Sequence, residues 1–553
     1  MQEQFSKAHA LTGVSQGPTV ATVYATVTVY DSLGTDKVQE VDVDSLKWRF
    51  FELGVRVGIA LQMLFICVLL MIPPKNEAIS ELSGLYYPLF RGVFLLSFFG
   101  VLFALMLFAW KRKGIDYCAI LNVLPHRTNY HAVVRAASTL MSLNFVAFVG
   151  YWLTVTVHLT ASKDLWPLVA LAGTVLLLCA PFNWMPEWQD AAQRAALLRI
   201  VGSALAAPFA APSFAASFVA DVFTSMPKCF VDLLFATCIY TSGEAFSIGS
   251  WDRNAQTFQR PLVICTASDP IYHVANVALL MLPFCIRLLQ CVRQIYDARR
   301  EGSEGWRQPL ANSFKYTTSL VVQAISISGG SVQRSSMWNA WLAISIFSTF
   351  FAFSWDVLID WGLGPQPLRR AVRSVLTPSA PSGGEYEGAS YWLRPVRVFK
   401  VYWYAIGIAT DLLFRLGWAV YISPGQQLVA NHMTLVLGSI ELMRRANWAL
   451  FRLEWEQILR VAKHEHDLDV QLASDRGIDT SELTMHRSTS SLMLPLLSDM
   501  HAVEPAVRTP SKDERIASVL NRNMKRMNRH SWETLPGIDR SNSSQDTENS
   551  QEK

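Results

Sequence analysis

The chain has 553 residues, is 51% hydrophobic and carries a formal net charge of only +4. Its mean hydropathy of +0.23 sets it apart from a string of soluble domains, and so small a charge excess, spread over loops, gives no nucleic-acid footprint. The eight cysteines lie mostly in apolar segments without a CxxC pair, so neither a disulfide framework nor a zinc site is expected.

Residues 1–48 are polar, and an alternating patch, Thr19 to Tyr30, has strand periodicity without an evident partner. A mostly disordered tail is therefore expected there. No charged n-region leads straight into an apolar h-region, so no cleavable signal peptide is expected and the first span would itself direct insertion. Spans are predicted at about 52–72 (stopped by Pro73 and Pro74), 88–110 (ended by Lys111, Arg112 and Lys113), 136–160 and 165–182. Residues 186–212 carry Arg194 and Arg199 on an Ala- and Leu-rich segment and predict an interfacial helix.

The fifth span, about 214–241, contains Asp221, Pro227 and Asp232, and the sixth, about 271–290, contains Arg287. The seventh, about 312–329, opens with Lys315 and Tyr316, and the eighth, about 338–362, closes on Asp356 and Asp360. The ninth and tenth lie at about 399–422 and 432–456, after a longer loop near 364–398. This predicts an all-α polytopic membrane protein of about ten spans. Its parts are a tail (1–48), about four N-terminal spans (49–185), a domain of about six spans (186–460) and a disordered tail (461–553). With the N-terminus in the cytosol, about 17 Lys and Arg fall in cytosolic loops against about five on the other side. Both termini are therefore expected to be cytosolic.

The costly feature is charge inside the apolar segments. A charge at mid-bilayer on an isolated helix costs about 2.5–3.5 kcal/mol even on a lenient scale, so such residues should face a polar interior. Asp411, Arg415 and Trp418 share a helical face, and Glu441, Arg445, Trp448, Arg452 and Trp455 form a second stripe at steps of four and three. Converging guanidiniums suit phosphate or carboxylate oxygens. Asp356 and Asp360, four apart, need a cation between them, with Lys315 and Arg287 as candidates. Trp355, Trp361, Trp392 and Trp403 are expected as interfacial anchors. His464 and His466 lack further ligands, so no metal site is expected.

Several segments carry a resemblance: FVADVFTSM (218–226), FCIRLLQCVRQIYDAR (284–299), NSFKYTTS (312–319), SWDVLIDWGL (354–363), DLLFRLGW (411–418) and ELMRRANWALFRLEWE (441–456). Together they resemble the EXS domain of SYG-type proteins, the xenotropic retrovirus receptor phosphate exporters, plant PHO-type exporters and the yeast ER-retention-defective protein. LFRGVFLLSFFG and WKRKGIDY (89–100 and 110–117) resemble the segment that precedes it. The resemblance implies channel-like efflux of inorganic phosphate. It gives Arg415, Arg444 and Arg445 as phosphate ligands. By the same resemblance Asp221, Thr224, Arg287, Lys315, Tyr316 and Asp356 would line the pathway, with Trp418 as a gate; their charge within the spans adds Asp360 and Asp411 to that lining.

About 48 polar residues are too few for an SPX domain, so the layout resembles the short ER-retention-defective branch. That branch implies return of phosphate from Golgi lumen to cytosol. The Golgi membrane is thus the expected residence, with the plasma membrane as the alternative. Expected partners are inorganic phosphate, the lipid bilayer and, as a candidate assembly, a homodimer. No cofactor and no enzymatic activity are expected. The alternative function is a sorting or retention adaptor for Golgi enzymes.

Overall fold

The computed structural model describes residues 25–30, 36–41, 54, 58, 77–123, 130–156, 164–179, 191–247, 251–252, 257–258, 262–329, 335–376, 393–394, 397–422 and 430–475. The chain divides into two units, Met1–Met63 and Leu64–Lys553. In the first, β1 (Ala25–Tyr30) pairs antiparallel with β2 (Asp36–Val41), Ala25 opposite Val41. The second half of the alternating patch thus has a partner, the short run DKVQEV. The predicted span at 52–72 lies outside the described residues except for positions 54 and 58, as does most of the predicted C-terminal tail.

Among the described residues, the regular structure of the second unit is helical apart from a two-residue hairpin, β3 (Trp251–Asp252) with β4 (Thr257–Phe258). Its helices are α1 (Glu77–Arg112), α2 (Tyr117–Leu121), α3 (Tyr130–Thr156), α4 (Leu165–Cys179), α5 (Ala191–Leu205), α6 (Phe214–Phe223) and α7 (Pro227–Thr241). There follow α8 (Glu244–Ser247), α9 (Pro270–Arg300), α10 (Arg307–Ile327), α11 (Trp338–Trp355), α12 (Gln366–Leu376), α13 (Val401–Arg415) and α14 (Ala430–Asp475). A π-turn, Asp356–Asp360, continues α11, and a 3-10 turn, Leu416–Ile422, continues α13.

Four segments among the described residues are long and apolar enough to cross a bilayer: Tyr86–Arg112, Tyr130–Thr154, Pro270–Arg300 and Trp338–Asp360. The bent pair α6 and α7 makes a fifth. The predicted ten are not reached by this measure: the span at 52–72 lies outside the described residues, and others fall short for two physical reasons. Helices α4 and α5 have 15 residues each, about 22 Å at 1.5 Å per residue. Helix α13 is equally short, and α10 and α14 carry charged residues that concern the site, which lowers their hydropathy. The predicted fifth span is not continuous either. It bends by 67° at Thr224–Met226, where Pro227 opens α7; its fixed φ suits a first helical turn, and it has no N–H to continue the helix before it.

Helix α14 organises the core. It has 46 residues and runs past the predicted end at 456, into what was expected to be tail. A Cβ at Gly438 would come within 3.2 Å of Leu95 on α1, and one at Gly407 on α13 within 2.4 Å of the Phe451 ring, so small residues let both neighbours approach α14 closely. Trp110, Trp361, Trp448 and Leu453 are buried in the same cluster. Trp361, and Trp355, which is buried at the end of α11, are core residues and not interfacial anchors. The Trp361 indole N–H donates to the Trp448 carbonyl at 3.1 Å. Trp403 is exposed, and Trp392 lies outside the described residues. Asn447 ties α14 to α13 by donating to the Gly407 carbonyl at 3.0 Å. The predicted loop near 364–398 contains α12, an amphipathic helix with Arg369, Arg370 and Arg373 on it.

One expectation about cysteine is overturned. Cys238, near the end of α7, forms a disulfide with Cys265, before α9. Beside it, Glu244 accepts N–H bonds from Val263 at 2.7 Å, Ile264 at 2.8 Å and Cys265 at 3.0 Å. Burial opposes ionisation of Glu244, but these three donors hold its carboxyl below the ordinary carboxylate range. Reduction of the denatured protein should expose two additional maleimide-reactive thiols, and Cys238→Ser alone should expose Cys265 without reductant. Equal labelling before and after reduction would contradict the pairing.

Candidate functional site

The bend between α6 and α7 faces α10, α11, the α13 turn and the first half of α14 across a cavity of about 850 Å³. Nine of the predicted residues line it: Asp221 and Thr224 at the bend, Lys315 and Tyr316 on α10, Asp356 at the π-turn, Arg415 at the end of α13, Trp418 in the turn after it, and Arg444 and Arg445 on α14. Segments as far apart in sequence as Asp221 and Arg445 thus meet on one chamber, and the charged helices turn their polar faces inward, as the cost of charge in hydrocarbon demands.

The arginines differ in how they are held. Arg415 pairs with Asp411 one turn back at 3.0 Å and donates to Asp356. Arg444 grips Glu441 in a forked arrangement at 2.8 and 2.5 Å, reaches Asp411 at 3.3 Å and lies 3.7 Å from Asp356. Arg445 instead donates to two hydroxyls, Ser225 and Thr224, each at 2.8 Å, and its guanidinium lies 4.8 Å from the Trp448 ring centre. Among the described residues Arg445 forms no ion pair. Ser225 in turn donates to Glu441 at 2.6 Å, so this small side chain links the two helices. Lys315 is 3.9 Å from Asp356, and the Trp418 indole donates to Thr349 at 2.9 Å.

Three predicted lining residues stand behind the wall. Arg287 donates to Asp221 at 2.8 Å and to Tyr316 at 3.0 Å, while Tyr316 donates to Asp221 at 2.5 Å. Its role is thus to fix the Asp221 carboxylate, and it does not bridge Asp356 and Asp360 as the sequence suggested. Asp411 is fully buried and is shared by Arg415 and Arg444. Asp360 turns away from the cavity, accepting from the Trp448 indole at 3.0 Å, with Arg452 at 3.6 Å. The second α14 stripe splits accordingly: Glu441 lines the cavity, while Trp448 and Arg452 serve the Asp360 side.

The sequence reading missed Lys228, Ser225 and Thr349 on this wall, and left Glu441 out of the pathway. Ser225 and Lys228 adjoin Thr224 and Pro227, and a span interrupted by Pro after a Thr-Ser pair was the available signal. It also missed the counterion of Asp232, which is Arg91 of α1 at 2.7 and 2.6 Å. A buried pair of Arg394 and Glu454, 2.5 Å apart, was missed as well. Tyr404 donates to the same Glu454 at 2.5 Å and thereby fastens the start of α13 to α14.

Apolar helices closing on a polar, charge-rich chamber define a helical membrane protein with a charged internal cavity. Within that class the chain belongs to the EXS family, which it matches over residues 86–458. It is 24% identical over 472 residues to Protein SYG1 of Saccharomyces cerevisiae, covering 80% of this chain and 48% of the relative. It is 25% identical over 435 residues to Phosphate transporter PHO1 homolog 4 of Arabidopsis thaliana, covering 75% and 51%. A Xenopus laevis protein, Xenotropic and polytropic retrovirus receptor 1 homolog, is 23% identical over 455 residues, covering 79% and 59%. The chain spans about half the length of the curated relatives it matches.

Removing Asp411 tests the wall directly. Asp411→Ala leaves two buried guanidiniums short of a counterion and should lower stability by about 3–5 kcal/mol. Heat-induced unfolding in detergent checks this, and an unchanged midpoint would contradict the shared role of Asp411.

Proposed function

We propose that this protein is an inorganic phosphate transporter that passes the ion, channel-like, through the Arg-lined cavity. The observation that carries the proposal is the contrast among the three arginines. Arg415 and Arg444 are balanced by carboxylates, whereas Arg445 presents its fork to hydroxyls only, on a cavity far larger than one phosphate ion. An arriving phosphate would replace weak hydroxyl contacts with charge-assisted ones at Arg445. It would compete with Asp356 and Glu441 for Arg415 and Arg444, which keeps each hold weak enough for release. Trp418, tethered to Thr349, stands beside Arg415 where a gate would act.

Exposed apolar residues such as Leu105, Leu153, Val274 and Phe350 suit contact with lipid. The Cys238–Cys265 pair supports an oxidising, non-cytosolic side for the α7 to α9 connection. Positive-inside counting assigns that connection to the same side, with both termini in the cytosol. The Golgi membrane, with phosphate leaving the lumen, is the residence this reading favours, and the plasma membrane is the second.

Purified protein in liposomes should carry radiolabelled phosphate. Arg445→Ala should cut that flux by at least about tenfold while insertion and folding persist, and Arg445→Lys should restore it only partly because the planar fork is lost. Undiminished flux in Arg445→Ala would overturn the assignment.

A further inference from the structure

Lys228 occupies a position that is unfavourable unless an anion visits it. It is the second residue of α7, after Pro227, and the preceding Met226 gives the helix no side-chain cap. A helix N-terminus carries partial positive charge, so a lysine in the first turn faces repulsion where an acidic residue would be stabilised. The natural remedy would be a carboxylate four residues on, and α7 has one, Asp232. That carboxylate is already occupied: both its oxygens accept from Arg91, at 2.7 and 2.6 Å. Among the described residues Lys228 forms no ion pair within 4.0 Å. Its side chain is exposed, and it lines the same cavity as Arg445 and Glu441.

The charge count makes this cation consequential. Lys228, Lys315, Arg415, Arg444 and Arg445 line the cavity, and Arg287 stands directly behind it. Against these six cations stand four carboxylates, Asp221, Asp356, Glu441 and Asp411. The excess is two positive charges with Lys228 and one without it.

We propose that Lys228 is a specificity-determining residue that makes the cavity prefer doubly charged phosphate over monovalent anions. The inference rests on the phosphate-transport reading. The Lys228 ammonium meets the arriving dianion at the bend, where the uncapped start of α7 adds to the attraction. A singly charged ion gains less from the same field and leaves that cation partly uncompensated.

The test is a paired flux measurement in liposomes holding the wild-type protein, Lys228→Gln or Lys228→Arg, with radiolabelled phosphate and with chloride. Lys228→Gln should lower the phosphate-to-chloride ratio about tenfold, and Lys228→Arg should keep it near the wild-type value. An unchanged ratio in Lys228→Gln, or a parallel fall of both fluxes, would overturn the role of Lys228 while leaving phosphate transport standing. Absence of phosphate flux in the wild type would instead overturn the transport reading, and this inference with it.

Discussion

The two carboxylates Asp356 and Asp411 are what the rest of the site depends on. Each is almost completely buried, and each is shared between Arg415 and Arg444. Taking a guanidinium out of water carries a penalty of several kcal/mol unless a counterion and hydrogen bonds offset it. These two acids supply that offset at the meeting point of α11, α13 and α14. The π-turn at Asp356–Asp360 sits at the same junction, with the Trp361 N–H reaching back to the Asp356 carbonyl at 2.9 Å. Local irregularity of this kind is common where a helix must present polar groups to a functional interior.

With Arg415 and Arg444 held in this way, the chamber remains polar without being closed by its own charges. Arg445 leans on Ser225 and Thr224 at the bend between α6 and α7, neutral contacts that an arriving anion would displace on the proposed reading. Behind the wall, Arg287 and Tyr316 fix Asp221, and the Arg394–Glu454–Tyr404 group fixes α13 against α14. The cavity is thus framed by rigid pairs, and its exchangeable contacts are confined to a few side chains.

Much of this was legible in the sequence because charges inside apolar runs are conspicuous. Asp411 and Arg415, four apart, pair as helical spacing requires, and nine of the predicted residues line one cavity. What failed to show was partnership between distant segments. Spacing could not reveal that Arg91 would occupy Asp232, that Arg287 would serve Asp221, or that Arg452 would approach Asp360. The Cys238–Cys265 pair, 27 residues apart without a motif, was invisible for the same reason. Span counting meets a different obstacle: several helices that carry the site are too charged or too short to resemble ordinary spans. Trp361 shows the limit of composition, since an aromatic near a span end suits a lipid interface and a packed core equally well.

The central claim is that phosphate displaces hydroxyl contacts at Arg445 within the chamber framed by Arg415 and Arg444. An experimental structure determined at saturating phosphate tests it most directly. The account predicts one tetrahedral density within hydrogen-bond reach of the Arg445 guanidinium, with Ser225 or Thr224 released from it. Density confined to surface lysines, with Arg445 still bound to both hydroxyls and the chamber holding only solvent, would contradict it.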